Sequence, residues 1–510
     1  MRITNNMIVA NTKNNINANK ISVDKYNTQM TTQKKISKAS EDPVIAMRSL
    51  RLSTNLSHVD QYVDNNIPDA LSWLDVTETA LTNTKSIITD IRTQCVKGSS
   101  DTLTADDRKT ILNALTQLSS QIYTEGNADY AGRTVFTGYR TDSKLTFGTD
   151  EKSTKYEIKQ TISYNDIAEK RYYSGSVDVP AKIEASTADC AVEISEKAYD
   201  RIRLGYDQLS QTNFSASYTV TDQSTGVKTT TNLTPTVYES EDAWAAANGG
   251  TKTVGDDDTV FIASTGELIL GKNVSAAMKS NHAEIDVSYE KTGFDKGDVR
   301  PEYFYDCTDV TDSANPISYK RDEDGDGEPD EQKIEYTIST GISIGVNTLA
   351  SDAFDPAMAQ DVNELMNCVN AAINANDKVD KIKEMMKKEE YSDKDSQAKL
   401  QTYLDAAQKE ADYADDNLQK TFGSNITRFD GYLTSINKAI TNVGSIEDRV
   451  KLTQNRVENQ QETLQELKST NEDRDLSDII IDYYAAYNAY QSSLTAASKV
   501  GATSLLDYLR

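Results

Sequence analysis

The sequence predicts an α+β fold, with long helical segments at both ends and a β-rich region inserted between them. The first observation is the distribution of chain-breaking residues: 17 of 23 Gly and 6 of 8 Pro lie between residues 131 and 356. The second is the spacing of apolar residues, which recur every three or four positions at the ends and every second position in parts of the middle. The first spacing is typical of amphipathic helices and the second of half-buried strands.

The N-terminal helical segment contains a clear start signal. Asp42 is placed to cap a helix, and Pro43 suits its first turn, where a missing N–H costs nothing. A stripe of apolar residues then continues through residues 52–95. Because Pro68 removes one backbone donor inside this stripe, we expect a kink or a restart near Asn66.

The C-terminal end carries a strict heptad repeat whose steps alternate between four and three residues, as in helices that pack against other helices. The repeat consists of Leu476, Ile480, Tyr483, Tyr487, Tyr490, Leu494, Ala497 and Gly501. A seam this regular, in a chain that is only 37% hydrophobic, predicts an assembly surface. It must be covered by the N-terminal end, by other copies of the chain, or by both. Covering it could contribute on the order of 10 kcal/mol, because each buried seam residue contributes about 1.5–3 kcal/mol.

The N-terminal segment is the natural partner of this seam within the chain. Val9, Ile16, Val23 and Met30 are seven residues apart, which predicts a matching seam. Asn and Lys crowd the positions between them, so the isolated segment buries too little apolar area to offset its ordering entropy. We therefore expect residues 1 to about 35 to be disordered in the free monomer.

Alternating apolar residues predict strands in the middle region, at residues 285–289, 334–338 and 342–346. The segment YTVTDQSTGVKTTT predicts a hairpin that turns near Gly226. We interpret residues 140–350 as one or two β-rich domains that project outward from the helical halves.

Composition excludes several classes of function. The formal net charge of −26 argues against a nucleic-acid partner, and no stretch is apolar enough to predict a membrane partner. The four Cys are far apart, which predicts neither a disulfide framework nor a zinc site. Only two His are present, and no catalytic motif is found. The nearest match is GELILGKN, which resembles a phosphate-loop motif, but its ELIL core predicts a strand instead. We therefore expect no enzymatic activity, no catalytic residues and no organic cofactor.

One acidic segment, RDEDGDGEPDEQK, has the spacing of a calcium loop. Its positions 1, 3, 5 and 9 are Asp322, Asp324, Asp326 and Asp330. Position 12, where an acidic ligand is expected, is Lys333. The segment is therefore interpreted either as a Ca²⁺ site or as the acidic tip of a hairpin.

Five motifs in this order resemble the bacterial flagellin family. They are MRITNNM, KASEDPVIAMRSL, YVDNNIPDALSWLDVTETAL, GNADYAGRTVFTGYRT and the terminal SLLDYLR. Filament-forming members usually have a DDAAG-like step in place of EDPVIA and lack the AGRTVFTGY segment. The resemblance covers both ends of the chain and little of residues 140–350.

The resemblance implies a structural role in the flagellum, at the junction between hook and filament. Residues 1–40 and 470–510 would form a terminal coiled coil in the core of a tube. Residues 41–139 and 351–469 would form a helical rod, with residues 140–350 facing outward. The implied partners are copies of the chain, a neighbouring hook-associated protein, flagellin and an export chaperone. The implied location is extracellular, after export without a cleaved signal peptide.

Two alternatives stay open at this stage. The first is a subunit of the flagellar filament itself. The second, of a different class, is a calcium-dependent surface adhesin whose helical ends serve only as an anchor.

Overall fold

The computed structural model of the chain describes residues 5–100, 103–184, 187–221, 227–321, 330 and 332–502. Helices occupy both ends, as the sequence predicts. They are α1 (Asn5–Thr32), α2 (Pro43–Gln61), α3 (Ile67–Gly98), α4 (Ala105–Ser119), α5 (Glu241–Ala247), α6 (Lys272–Ser280), α7 (Ala350–Ala353), α8 (Ala357–Met386), α9 (Lys394–Glu472) and α10 (Leu476–Ala502). No helix in the described ranges combines the length and the apolar character that crossing a bilayer requires.

Strands occupy the middle of the chain, which confirms the predicted α+β fold. They are β1 (Asp129–Tyr130), β2 (Arg133–Thr134), β3 (Glu151–Ser163), β4 (Ala168–Ser174), β5 (Ser195–Arg203), β6 (Ser215–Thr221), β7 (Lys228–Leu233), β8 (Thr236–Tyr238), β9 (Thr259–Ile262), β10 (Glu267–Leu270), β11 (Glu284–Phe294), β12 (Asp306–Asp309), β13 (Ile317–Tyr319), β14 (Glu335–Ser339) and β15 (Ile342–Gly345). The strand predictions at residues 285–289, 334–338 and 342–346 are therefore confirmed.

Two larger sheets organise these strands. The five-stranded sheet has the order β4-β5-β10-β9-β8, and the six-stranded sheet has the order β13-β12-β3-β11-β6-β7. Strands β6 and β7 pair as the predicted antiparallel hairpin, and its turn at residues 222–226 lies outside the described residues. Strand β10 is buried along its whole length between β5 and β9, so the ELIL core of GELILGKN forms a strand, as predicted, and the following Lys272 and Asn273 begin α6.

The chain divides into two compact units. The first unit consists of residues 1–71, 336–344 and 448–510. It contains α1, α2, α10 and the C-terminal part of α9, together with most of the β14–β15 hairpin. The second unit consists of residues 72–335 and 345–447 and contains both large sheets.

Helix α2 starts as predicted. The Oδ1 atom of Asp42 accepts hydrogen bonds from the backbone N–H groups of Val44, at 2.9 Å, and of Ile45, at 3.1 Å. The predicted irregularity near Asn66 is a π-helical segment, Tyr62–Asn66, between α2 and α3. Because Pro68 has no N–H to donate to the preceding turn, the regular helical hydrogen-bond pattern is interrupted there.

The apolar stripe of α3 forms part of the core of the second unit. Leu74, Leu81, Ile88 and Cys95 are all fully buried. Thr77 and Thr84 occupy two buried positions of the same stripe. Each hydroxyl donates a hydrogen bond to the backbone carbonyl four residues earlier in the helix, at 2.8 Å and 2.9 Å. The stripe is therefore continuous despite its polar positions.

The expectation that residues 1 to about 35 are disordered in the free monomer differs from the structure, in which Asn5–Thr32 form helix α1. The expectation considered this segment alone, whereas α1 packs along α10 of the same chain. Covering one side of α1 supplies the apolar burial that the isolated segment lacks.

Candidate assembly surface

Helices α1 and α10 pack side by side in the first unit. The Asn19 side-chain amide donates to the Ala489 carbonyl at 3.3 Å, which links their middle turns. On α1, Ile16, Val23 and Met30 are half-buried, whereas Val9 is exposed. Three of the four predicted N-terminal seam residues therefore lie on the partly covered side of α1.

The heptad seam of α10 splits into two rows. Tyr483, Tyr490 and Ala497, which we call the inner seam, are half-buried. Ile480, Tyr487 and Leu494, which we call the outer seam, are 37%, 39% and 43% exposed. Leu476, which follows the spacing of the inner seam, is also exposed at the start of the helix. Gly501 lies in the last turn of α10, and its exposure is not described.

Further apolar residues extend the exposed surface beyond the outer seam. Ile481 and Tyr484 are 66% and 60% exposed on α10, and Ile21 is 70% exposed on α1. The rings of Tyr483 and Tyr487 are nearly parallel, with centroids 6.1 Å apart, so the two seams are linked by a ring contact. Exposed apolar residues that cluster along a helix pair mark a surface for association.

The position of α10 in the first unit is fixed by two linkers that hydrogen-bond to each other. We call residues 33–36 and 472–475 together the joint. The Lys35 N–H donates to the Glu472 carbonyl at 2.7 Å, and the Arg474 N–H donates to the Gln33 carbonyl at 2.9 Å. The linker after α1 and the linker before α10 are therefore held together by their backbones.

Charged side chains reinforce the joint. Lys34 Nζ lies 2.5 Å from a carboxylate oxygen of Asp473 and 3.2 Å from one of Glu472. The hydrogen bond with Asp473 raises the pKa of Lys34, and the same bond lowers the pKa of Asp473. Arg474 donates to the Gln29 side chain at 3.0 Å and pairs with Asp482. No local sequence pattern indicated this site, because its two halves are more than 400 residues apart.

Helix α2 packs on the C-terminal part of α9 through polar contacts. The Gln461 amide donates to the Asp60 carboxylate at 2.7 Å, and the Asn471 amide donates to the Ile45 carbonyl at 3.1 Å. Val59 of α2 and Val457 of α9 are both buried. These contacts hold α2 against the part of α9 that leads into the joint.

Two of the motifs that resemble the flagellin family meet in the second unit. Trp73, from DALSWLDV, is fully buried. The guanidinium of Arg133 lies 5.1 Å from its ring centroid, and the ring of Tyr130 packs edge-on at 6.3 Å. Ala131 and Gly132, with φ of 51° and 79°, form the two-residue turn of the β1–β2 hairpin that carries these side chains.

The predicted calcium loop falls largely outside the described residues, because Asp322, Asp324 and Asp326 are not described. Asp330 is described, and its N–H donates to the Arg321 carbonyl at 2.6 Å. Elsewhere in the described ranges, no group of three or more His, Cys, Asp or Glu side chains is placed to hold a metal ion. The calcium site remains a prediction from sequence.

Comparison with family models identifies both ends of the chain. The model of the bacterial flagellin N-terminal helical region matches residues 3–141, and the model of the bacterial flagellin C-terminal helical region matches residues 426–509. The first match contains α1 to α4, and the second contains the C-terminal part of α9 and all of α10. The joint and the paired terminal helices thus lie inside the matched segments.

Comparison with individual proteins gives relatives of two kinds. A flagellin of Clostridium tyrobutyricum is 22% identical over 57% of this chain and 66% of its own length. The flagellar hook-associated protein 3 of Escherichia coli K12 is 24% identical over 40% of this chain and 58% of its own length. The chain therefore spans less than two thirds of the length of either relative.

The crystal structure of flagellar hook associated protein-3 from Legionella pneumophila is 11% identical and aligns over 82% of this chain and 97% of its own, with a TM-score of 0.29.

Proposed function

We propose that this chain, which belongs to the bacterial flagellin family, is a structural component of the flagellum that links the hook to the filament. The observation that carries the proposal is the split seam of α10, with its inner seam half-buried and its outer seam exposed. A polymer subunit needs both rows. One row holds the two ends of the chain together, and the other binds neighbouring copies.

The geometry of the exposed row favours an open assembly. The outer seam lies on α10, and the exposed Ile21 lies on α1. The α10 surface of one copy can therefore bind the α1 surface of the next copy. Such contacts join two different surfaces, and repeated contacts of that kind generate rings or helical tubes rather than closed dimers. A tube of this kind is what a connection between hook and filament requires.

Two segments favour the junction role over a filament subunit. Asp42 of EDPVIA caps α2, and the AGRTVFTGY segment contains part of the hairpin that packs on Trp73. The resemblance implies that filament-forming members usually replace the first segment and lack the second. A filament subunit remains the second candidate, because the Clostridium tyrobutyricum relative is named a flagellin.

The junction role brings further proposals with it. The chain would act mechanically, without a substrate to turn over. Its partners would be copies of itself, a neighbouring hook-associated protein, flagellin and an export chaperone. It would work outside the cell after export without a cleaved signal peptide, with residues 1–40 and 470–510 in the core, residues 41–139 and 351–469 as the rod, and residues 140–350 outermost.

Immunogold electron microscopy tests the proposal, using flagella of the source organism and an antibody raised against residues 140–350. Label confined to the boundary between hook and filament supports the junction role. Label along the whole filament would make the chain a filament subunit instead. Flagella without label, from cells that express the chain, would refute both roles.

The acidic segment around Asp324 and Asp326 is proposed separately to bind Ca²⁺, on its sequence spacing alone. Calorimetric titration of the full chain should then show saturable binding that is lost in the D324A and D326A variants. Absence of binding heat at about 1 mM Ca²⁺, the weak end of known calcium modules, would reject the site.

A further inference from the structure

A cavity of about 1050 Å³ lies in the second unit, between the five-stranded sheet and helices α8 and α9. Its volume is at the upper end of the range for small-molecule sites. Among the described residues that line it, none is Leu, Ile, Val, Met, Phe or Trp. The apolar surface of the cavity comes from Ala, Cys and Tyr side chains and from the carbon atoms of polar ones, so a purely apolar ligand would leave the surrounding polar groups without partners.

Ion pairs link the sheet to helix α8 beside the cavity. Alternating charges run in one continuous series from Lys170, Glu267, Arg201 and Arg203 of the sheet to Glu364 and Asp361 of α8, and all of these residues except Asp361 line the cavity. Lys170 also lies 2.6 Å from Glu241, and Arg428 lies 2.7 Å from Asp361. Each of these carboxylates therefore contacts a cation, and Glu267, Glu364 and Asp361 each contact two. A charged ligand that binds one of these groups would have to displace a partner that is already in place.

The wall formed by the helices is rich in amides. Gln360, Asn363 and Asn367 follow one another at helical spacing on α8, and Asn417 and Asn425 do so on α9. Gln360 is 9% exposed and Asn425 is 3% exposed. Neither Gln360 polar atom, Nε2 or Oε1, has a hydrogen-bond partner among the described residues, and the same holds for Asn425 Oδ1.

Unpartnered buried amides need an explanation, because leaving one polar group without a partner costs about 1–3 kcal/mol. These side chains carry both donors and acceptors. A hydroxyl group can donate to one amide and accept from another, as a water molecule does. Ligands with several hydroxyl groups can therefore replace ordered water without leaving the wall unpaired.

We propose that this cavity binds a neutral, hydroxyl-rich ligand, namely a carbohydrate of one or a few sugar units. The paired charges of the series disfavour ionic ligands, and the polar groups that line the cavity disfavour apolar ones. Tyr172 and Tyr173 line the same cavity and supply aromatic surface for the C–H face of a sugar ring. The site lies in the β-rich region and its supporting helices, so it is separate from the assembly surface.

The test uses the full-length monomer and saturation-transfer NMR with a mixture of glucose, galactose, N-acetylglucosamine and maltose. Each sugar is present at about 10 mM, which detects dissociation constants in the millimolar range. The expected result is transfer to at least one sugar. Calorimetric titration of that sugar into the N363L and N417L variants should show at least a tenfold loss of affinity. Asn437, exposed on α9 away from the cavity, gives the control variant N437L, which should bind like the parent chain.

Three outcomes would overturn the proposal. Absence of transfer to every sugar would mean that the cavity holds water only. Transfer that persists unchanged in both N363L and N417L, with circular dichroism like that of the parent, would mean that sugar binds elsewhere. Binding of acetate or lysine that is lost in both variants, without sugar binding, would mean that the site takes charged ligands.

Discussion

A guanidinium nitrogen of Arg428, on α9, lies 2.7 Å from a carboxylate oxygen of Asp361, on α8. Asp361 is fully buried, and it also pairs with Arg203 of β5 and accepts a hydrogen bond from the Tyr432 hydroxyl at 2.7 Å. One carboxylate thus connects two helices and the five-stranded sheet. Burying such a charge costs desolvation free energy. Removing it is also destabilising, because its cationic partners would then be left without a counter-charge.

The D361N variant should therefore be strongly destabilised. It keeps the shape of the side chain but removes the charge that Arg203 and Arg428 share, so we expect a loss of about 3–5 kcal/mol in the free energy of unfolding. Denaturant titration followed by tryptophan fluorescence measures it, because Trp73 and Trp244 are both buried in the second unit. The matched control is D430N, which breaks the exposed Arg92–Asp430 pair and should destabilise the chain far less, because solvent screens exposed charges. Equal losses in the two variants would contradict this account.

The same ion-pair series predicts acid sensitivity. Burial raises the pKa of Glu364, but the nearby Arg201 and Arg203 outweigh it and lower the pKa from 4.5 to about 2. Because the pKa of Glu364 is lower in the folded chain than in the unfolded chain, the ionised carboxylate stabilises the fold above about pH 4.5. This stabilisation is lost as the pH falls toward 2. The loss for this one carboxyl is about 3 kcal/mol.

Denaturant titrations between pH 5 and 2 should show a shallower decline of the free energy of unfolding in E364Q than in the parent chain. The E389Q variant, at an exposed position, should keep the parent slope, and a parent-like slope in E364Q would refute the assignment.

The sequence was most informative where structure depends on local chemistry. Asp42 with Pro43 predicted the start of α2, Pro68 predicted the irregular turn before α3, and alternation predicted β11. The split of the α10 seam was not predictable, because heptad spacing does not specify which row faces the partner. Arg203 and Asp361 are separated by 158 positions, and nothing in either neighbourhood indicates the other. Long-range ion pairs and the sides that helices bury are set by tertiary packing, which a local pattern does not encode.

The joint should limit motion of the linkers. In the K34E variant, the new carboxylate faces Glu472 and Asp473, so attraction becomes repulsion. We expect faster hydrogen exchange at residues 33–36 and 472–475, with global stability changed by less than about 1 kcal/mol because the pair is partly exposed. Lys13 is exposed on α1, and K13E should leave exchange at the joint unchanged. Unaltered exchange in K34E would show that the backbone hydrogen bonds alone hold the linkers.

Helix α1 should depend on α10. A chain that ends at Asp475 lacks the surface that covers Ile16, Val23 and Met30, and an isolated helix of this composition is marginal in water. We expect Asn5–Thr32 to lose its exchange protection and the far-ultraviolet circular dichroism to lose helix signal in proportion. Helix α3 in the same sample provides the internal control, since its buried stripe is far from α10 in sequence and should stay protected. Persistent protection of residues 5–32 would mean that α1 is stable without its partner.

The outer seam should be needed for assembly and dispensable for folding. In Y487E and L494E, a charge is placed on an exposed row, so the monomer should unfold within about 0.5 kcal/mol of the parent. Assembly should fail, because burying that charge against a neighbouring copy costs several kcal/mol unless it is paired. Sedimentation of the concentrated protein measures self-association, and electron microscopy of flagella from cells carrying each variant measures incorporation. Ala496 is exposed nine residues from Tyr487, about 180° around the helix, so A496E carries the same charge on the opposite side and should assemble normally. If Y487E and L494E assemble as well as A496E, the outer seam is not the surface that joins the copies.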